Sequence, residues 1–354
     1  MPEEEFQEYN FEFPKPEKPW FKRPLFYILF GIAIVIGFFA FQFGLAYNSI
    51  TIDNGPPWWK GVANVFNFSE DAPPPIELNP IPEEEPDRLD ILVLGIRGED
   101  ALEEGGLLTD TIMVVSIDQK TKKISMISIP RDLFIDILAN TGNGGTVRIK
   151  GKINRVYESG LPRGEGLALS QQVFSRITGT YIDHVIVFDF KAFEEIVDTI
   201  GGVDVTLARP FHESSQWGYE FSLPEGKNHL EGEQALYYVR SRYSTSDFDR
   251  ARRQQEVIAA IKNKALSLGF LANPLNVTSL FSDLKNNIRT DFKIWDIKDL
   301  LDLASAFSQS SIKNYVITTQ NLVYETHTEG GEYILLPNEG NYDGIKNLFK
   351  EILN

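Results

Sequence analysis

The chain has 354 residues, a formal net charge of −16, four histidines and no cysteine. The lack of cysteine excludes disulfides, thiol nucleophiles, iron–sulfur clusters and Cys-ligated zinc. So large an acid excess excludes a general nucleic-acid binder, which needs a basic surface along the phosphates, and a hydrophobic content of 42% excludes wholesale disorder.

Residues 1–23 begin with a Glu- and Pro-rich stretch of little periodicity, which predicts a disordered tail. Residues 24–52 then contain no Asp, Glu, Lys or Arg. The apolar part, taken as 24–47, exceeds the ~20 residues that cross a bilayer as a helix. A cleaved signal peptide has a shorter apolar core and a small-x-small site, and Phe41 to Tyr47 offers no such site. Lys15, Lys18, Lys22 and Arg23 precede the run, whereas Lys60 is the only Lys or Arg between Tyr47 and Asp87. The positive-inside rule therefore predicts a single-pass anchor in the cell membrane, with a cytoplasmic N-terminus and an extracytoplasmic C-terminal part. Residues 48–87, with Pro56-Pro57, Pro73-Pro74-Pro75 and Pro80-Ile81-Pro82-Glu83-Glu84-Glu85-Pro86, form a stiff acidic stalk.

The globular part is expected over 88–310, with a strand and helix segment over 311–354 that completes the domain or packs on it. Ile91-Leu92-Val93-Leu94 has the continuous apolar character of a strand covered on both faces. Ile112–Ile117 and Ile124–Ile129 form a hairpin about a polar Asp118–Lys123 turn, and Gly142–Gly145 is a loop tip. Helical spacing covers 167–177, then 190–200 up to Gly201-Gly202, with strands at 185–188 and 203–207. Further helices are predicted over 232–239, 250–268, 274–285, 294–307 and 342–353, and strands over 314–318 and 333–336. Interleaved strands and helices with hairpins mixed in predict an α/β/α sandwich on a mixed central sheet.

Signatures of zinc proteases, P-loop NTPases, α/β-hydrolases and dinucleotide-binding folds are absent. What stands out is Tyr238 to Gln255, where Arg240, Arg242, Arg250, Arg252 and Arg253 crowd into a strongly acidic protein. On a helix, Arg250, Arg253 and Gln254 share a face with Val257, Ile258 and Ile261, so they prolong the buried stripe, and Arg252 points elsewhere. Buried guanidinium groups need anionic partners. Asp247 and Asp249 can satisfy one or two of them; a phosphate or pyrophosphate, which a planar guanidinium grips in bidentate fashion, suits the rest. Thr109-Asp110-Thr111 precedes one strand and Pro130-Arg131-Asp132 follows another, at the strand ends where α/β sheets collect ligands.

Taken together, Leu108-Thr109-Asp110-Thr111, Ser128-Ile129-Pro130-Arg131-Asp132, Lys152-Ile153-Asn154, Asp189-Phe190 with Ile200-Gly201-Gly202-Val203, Leu230-Glu231-Gly232-Glu233-Gln234-Ala235-Leu236 and the block from Arg240 to Gln254 resemble the LytR-CpsA-Psr family of bacterial cell-envelope proteins. The resemblance implies a phosphotransferase that moves a glycopolymer from a polyprenyl-pyrophosphate carrier to peptidoglycan, or in some members to protein, with Mg²⁺ or another divalent cation. It implies Arg131, Arg240, Arg242, Arg250 and Gln254 as pyrophosphate-binding residues. Asp110 and Asp247 would hold the metal or orient its water and the acceptor, so that Asp110, Arg131 and Asp247 form the catalytic group. Many members carry an Asp just after the first strand, where this chain has Arg97-Gly98-Glu99-Asp100, and Glu99 or Asp100 is the candidate replacement in the metal shell. A non-catalytic envelope module and a pyrophosphatase that uses water as acceptor stand as alternatives. A lipid tail would need an apolar slot, which residues of the helices at 190–200 and 257–268 could line, although ordinary core is the expected fate of most of them.

Overall fold

The apolar run at Ile91–Leu94 lies in the middle of β1 (Arg88–Gly95), which pairs antiparallel with β2 (Thr111–Asp118), and β2 in turn with β3 (Ile124–Ser128). The computed structural model describes residues 80–98, 106–268, 284–292 and 312–353, apart from the single positions 215, 217, 243, 244 and 285. The expected tail, membrane segment, most of the stalk, nearly all of the helices at 274–285 and 294–307, and both Glu99 and Asp100 lie outside the described residues. Among the described residues no helix is long and apolar enough to cross a membrane.

After β3 comes a hairpin of β4 (Phe134–Asn140) and β5 (Thr146–Lys152), then a short α1 (Val156–Gly160) and α2 (Gly166–Thr178). Next are β6 (His184–Phe188), α3 (Phe190–Thr199), β7 (Val203–Leu207), β8 (Phe211–Glu213), β9 (Phe221–Leu223) and β10 (Gly226–Leu230). The chain continues through α4 (Gly232–Arg240), α5 (Asp247–Ser267), β11 (Ile288–Thr290), β12 (Ile312–Val316), β13 (Val323–His327), β14 (Tyr333–Pro337) and α6 (Asp343–Glu351).

Six strands form one mixed sheet in the order β11-β6-β1-β2-β3-β12, with β1–β6 and β3–β12 parallel and the other pairs antiparallel. Because side chains alternate along a strand, the sheet has two apolar faces. On one, Leu92, Leu94, Ile112, Val114 and Ile127 are buried in a large cluster with Val173, Phe174 and Ile177 of α2 and Ile345 and Phe349 of α6. On the other, Leu89, Ile91, Met113, Val115 and Met126 meet Ile258 of α5. The C-terminal segment contributes β12 to the sheet and α6 to the core. Arg88 fixes that helix by donating to the Phe349 carbonyl at 2.8 Å.

Local sequence sets the helix starts. Asp189 caps α3 by accepting from the Ala192 N–H at 2.8 Å. At α4, Glu231 and Gln234 form a capping box. A second box, Ser246 with Asp249, starts α5 at Asp247, three residues before the position expected from apolar spacing alone. Gly232 is required where α4 meets α3, since a Cβ there would stand 2.6 Å from the Glu194 carbonyl.

Candidate functional site

At the carboxyl end of β1, the Gly95 carbonyl accepts from the Asp110 N–H at 2.9 Å, which brings the Thr109–Asp110 turn to the sheet end. A Cβ on Gly95 would lie 2.9 Å from Thr111 Cβ, so the close approach of β1 and β2 here depends on glycine. The Thr109 N–H donates to the Asn154 carbonyl at 3.0 Å, and the Asn154 N–H donates to the Arg131 carbonyl at 3.3 Å. Lys152-Ile153-Asn154 thus joins the loop carrying Asp110 to the loop carrying Arg131.

These loops and the start of α5 bring four expected residues together. Arg131 Nη1 donates to Asp110 Oδ1 in a short contact, and Arg131 Nε lies 3.7 Å from Asp247 Oδ1. Arg250 Nη2 pairs with Asp247 Oδ1 at 2.7 Å and donates to the Asp110 carbonyl at 3.1 Å. Burial would raise the Asp110 pKa, but Arg131, Arg250 and Arg97 together hold it below the usual carboxylate value, so the group stays ionised. Burial opposes the charge of Arg131 as well, yet Asp110, Asp247 and Asp132 raise its pKa overall. Arg131 Nε nonetheless is buried and makes no hydrogen bond, and neither does Asn154 Oδ1. A buried guanidinium N–H without an acceptor is costly, and the anionic oxygens nearest to it are Asp132 Oδ2 and Asp247 Oδ1, each 3.7 Å away.

Arg240, Arg242 and Gln254 lie beside this cluster on the wall of a cavity of about 470 Å³. Arg240 stacks on the Phe190 ring, 4.0 Å from its centroid, and burial together with the charge of Arg97 draws its pKa down to about 10, leaving it protonated at neutral pH. Gln216 ties down the turn between them, donating to the Arg240 carbonyl at 3.1 Å and accepting from the Arg242 N–H at 2.8 Å. Gln254 donates to the Val239 carbonyl at 3.4 Å. The other arginines of the block separate as the helical spacing predicts in burial, but not in partners. Arg252 is exposed and pairs with Asp249. Arg253 is buried, and two main-chain oxygens and a hydroxyl rather than an anion satisfy it: it donates to the Tyr238 carbonyl at 2.9 Å, to the Ser241 carbonyl in a short contact and to Thr245 Oγ1 at 3.1 Å. Its role is to brace the link between α4 and α5.

Beyond the arginines the cavity changes character. Arg97, Asp110, Arg240, Arg242, Arg250, Gln216 and Gln254 form its polar part; Val93, Ile186, Phe188, Phe190, Phe193, Ile196, Ile258 and Ile261 are among its apolar walls. Several side chains for which ordinary core was the expectation therefore border open space, while Val197 and Val257 are fully buried core. Leaving apolar surface unpacked forfeits stability, so a slot of this size beside a cationic cluster is a built feature.

Sequence reasoning missed four members. Arg97 sits 3.6 Å from Asp110, while Glu99 and Asp100, the candidate acidic replacements, lie outside the described residues. Asp132 and Lys152 form a pair at 2.9 Å beside Arg131, and Gln216 holds the arginine turn. Arg97 had a signal, since it stands two residues after the end of the first strand; Gln216 had none. Among the described residues no three His, Asp or Glu side chains converge as metal ligands. Asp110 and Asp247, both beside Arg131, nevertheless offer two carboxylates, a donor set that Mg²⁺ can complete with water and other oxygens.

The sequence model of the LytR_cpsA_psr family matches residues 65–351. The chain is 33% identical to the polyisoprenyl-teichoic acid–peptidoglycan teichoic acid transferase TagU of Enterococcus faecalis, over 62% of this chain and 67% of that protein. It is 26% identical to the corresponding transferase TagV of Bacillus subtilis, over 70% of this chain and 60% of that protein. The alignments thus take in about two thirds of the length of these relatives. The fold is similar to that of TagT solved bound to LIIa-WTA, with a TM-score of 0.56 and 25% identity, covering 77% of this chain and 94% of that one.

Proposed function

The chain belongs to the LytR_cpsA_psr family, and on that premise we propose that it is a phosphotransferase that attaches a glycopolymer, carried on polyprenyl pyrophosphate, to peptidoglycan. The observation that carries this reading is the continuity of the arginine cluster with the apolar slot. A ligand that suits both must join a doubly charged head to a long hydrocarbon tail. The names of TagU and TagV, transferases of polyisoprenyl-linked teichoic acid to peptidoglycan, agree in donor and acceptor class.

In this reading the prenyl chain lies along Val93, Ile186, Phe193, Ile196 and Ile258, and the pyrophosphate rests against Arg240, Arg242 and Arg250, with Gln254 beside them, and reaches Arg131 in the adjoining crevice that Asp110, Arg250 and Gln254 also line. An acceptor hydroxyl attacks the sugar-side phosphorus. The bond from acceptor oxygen to phosphorus forms, the bond from that phosphorus to the bridging oxygen breaks, and lipid monophosphate leaves with the electron pair. The acceptor proton passes to a carboxylate of the Asp110 and Asp247 pair, of which Asp247 is the more exposed. Catalysis comes from holding the head group and neutralising the charge that develops on it, as is general for phosphoryl transfer. Asp110 and Asp247 would also hold Mg²⁺, which when bound supplies further charge neutralisation at the phosphates. The domain is an α/β/α sandwich held outside the cell by the membrane anchor at 24–47 and the stalk at 48–87.

The test is incubation of the full chain with a lipid-linked glycopolymer, Mg²⁺ and peptidoglycan, followed by mass spectrometry of the products. Conjugate that disappears in Arg131→Ala is the expected result. Free sugar phosphate without conjugate would identify a pyrophosphatase, and binding without turnover a non-catalytic module.

A further inference from the structure

Beside Arg131, the C-terminal hairpin reaches the site through Asp132 and Leu133. The Leu335 N–H of β14 donates to the Asp132 carbonyl at 2.9 Å, and Leu335 forms a bridge with Leu133, both side chains being buried. Lys152 Nζ lies 2.9 Å from Asp132 and 3.4 Å from Glu332, which directly precedes β14, and Asp132 is 3.7 Å from Arg131 Nε. A chain of charges therefore runs from the reactive arginine to the hairpin. At its end Tyr333 is 38% exposed, set edge to face against His327 with ring centroids 5.9 Å apart. Glu325, on the same face of the hairpin, lies close to its phenol.

Most exposed tyrosines mean nothing, but the position of this one bears on the reaction. Displacement at phosphorus places the incoming oxygen roughly in line with the leaving group. The leaving lipid phosphate points into the slot, whose walls include Asp110 and Arg250 but none of Arg131, Asp132, Lys152, Glu332 or Tyr333. The hairpin is tied to Arg131 through Asp132 and Lys152 without lining that slot, so it is placed to meet the acceptor. A rigid aromatic ring with a fixed polar tip matches the apolar face and hydroxyl edge of a sugar ring.

We infer that the β13–β14 hairpin is the docking platform for the acceptor, with Tyr333 stacking on a pyranose ring of the peptidoglycan glycan chain and the Glu332–Lys152–Asp132 relay fixing that ring relative to Arg131. The inference rests on the proposed transferase reading for its choice of ligand. Tyr333 is a specificity-determining residue and takes no part in bond breaking.

Binding of soluble, uncross-linked peptidoglycan chains to the full chain without donor, measured calorimetrically, tests the platform independently of turnover. Tyr333→Ala should weaken binding about tenfold and Tyr333→Phe only slightly, with melting temperatures unchanged. In the transfer assay, Tyr333→Ala should raise the acceptor KM and leave the donor KM unchanged. Equal binding by wild type and Tyr333→Ala, no binding by the wild type, or a shift confined to the donor KM would each overturn the platform. Absence of transfer alongside Tyr333-dependent binding would instead count against the transferase reading and leave the platform standing.

Discussion

On one face of the central sheet, Leu92, Leu94, Ile112 and Val114 are sealed under α2 and α6. On the other, Val93, Ile186 and Phe188 border a cavity of about 470 Å³ beneath α3 and α5. Strands β1, β2 and β6 supply apolar residues of the same kind to both faces, so hydrophobicity does not separate the face that is sealed from the one that borders a cavity. The separation comes from what lies across the sheet. The α2 and α6 side chains interlock with the first face, whereas α5 crosses the second carrying Arg250 and Gln254 at its start and Ile258 and Ile261 further along.

The largest effect expected from this contrast is on chemistry. Arg131→Ala or Arg250→Ala should lower transfer by about 10²–10³-fold, the range for loss of one aimed cationic or hydrogen-bonding group, while circular dichroism shows a folded protein whose melting temperature falls because a buried ion-pair partner is gone. Next comes stability. Leu92→Ala should cost about 2–5 kcal/mol in denaturant unfolding, as for a buried large-to-small change, whereas Ile258→Ala, on the slot wall, should cost clearly less. If the two cost the same, the slot is ordinary core.

Filling the slot provides a sharper comparison. Ile258→Trp should reduce transfer from long-chain prenyl donors about tenfold and spare short-chain donors, with no loss of thermal stability, because it adds contacts where none exist. The smallest effect lies at the seam the two faces share. Asp183 accepts from the Asp90 N–H at 2.7 Å where β1 and β6 begin, and burial pushes its pKa up to about 7. A carboxyl whose folded-state pKa is raised favours the fold while protonated. Its contribution is therefore complete below about pH 4 and is lost as the pH rises through about 7. Asp183→Asn should flatten the melting temperature across that window, and an unchanged pH profile would remove Asp183 as its source.

Much of this arrangement can be read from the sequence where a local pattern dictates it. The runs at Ile91–Leu94, Ile112–Ile117 and Ile124–Ile129 are strands, and spacing places α2 to α5 within a few residues. The β4–β5 hairpin escapes because its strands are held in part by polar pairing, such as the bidentate Arg148–Asp136 pair at 2.6 and 2.7 Å, and only Val147 and Ile149 mark an apolar side of β5. The three-residue strands β8, β9 and β11 are too short for periodicity to mark. At the site, Asp110, Arg131, Asp247 and Arg250 converge from motifs separated along the chain. Arg253, which the same helix face predicts as ligand-seeking, is satisfied by carbonyls of a turn that only the fold brings near. Lys152 and Asp132 come together for the same kind of reason, across the loop joined through Asn154.

The central claim is that the slot and its arginine mouth hold one amphiphilic anion. Mass spectrometry of the full chain extracted from bacterial membranes tests it most directly. A polyprenyl phosphate or pyrophosphate species retained by the wild type, and lost both in Ile258→Trp and in Arg250→Ala, is the predicted result. A wild-type protein that retains no such lipid, or a lipid retained equally by all three, would contradict it.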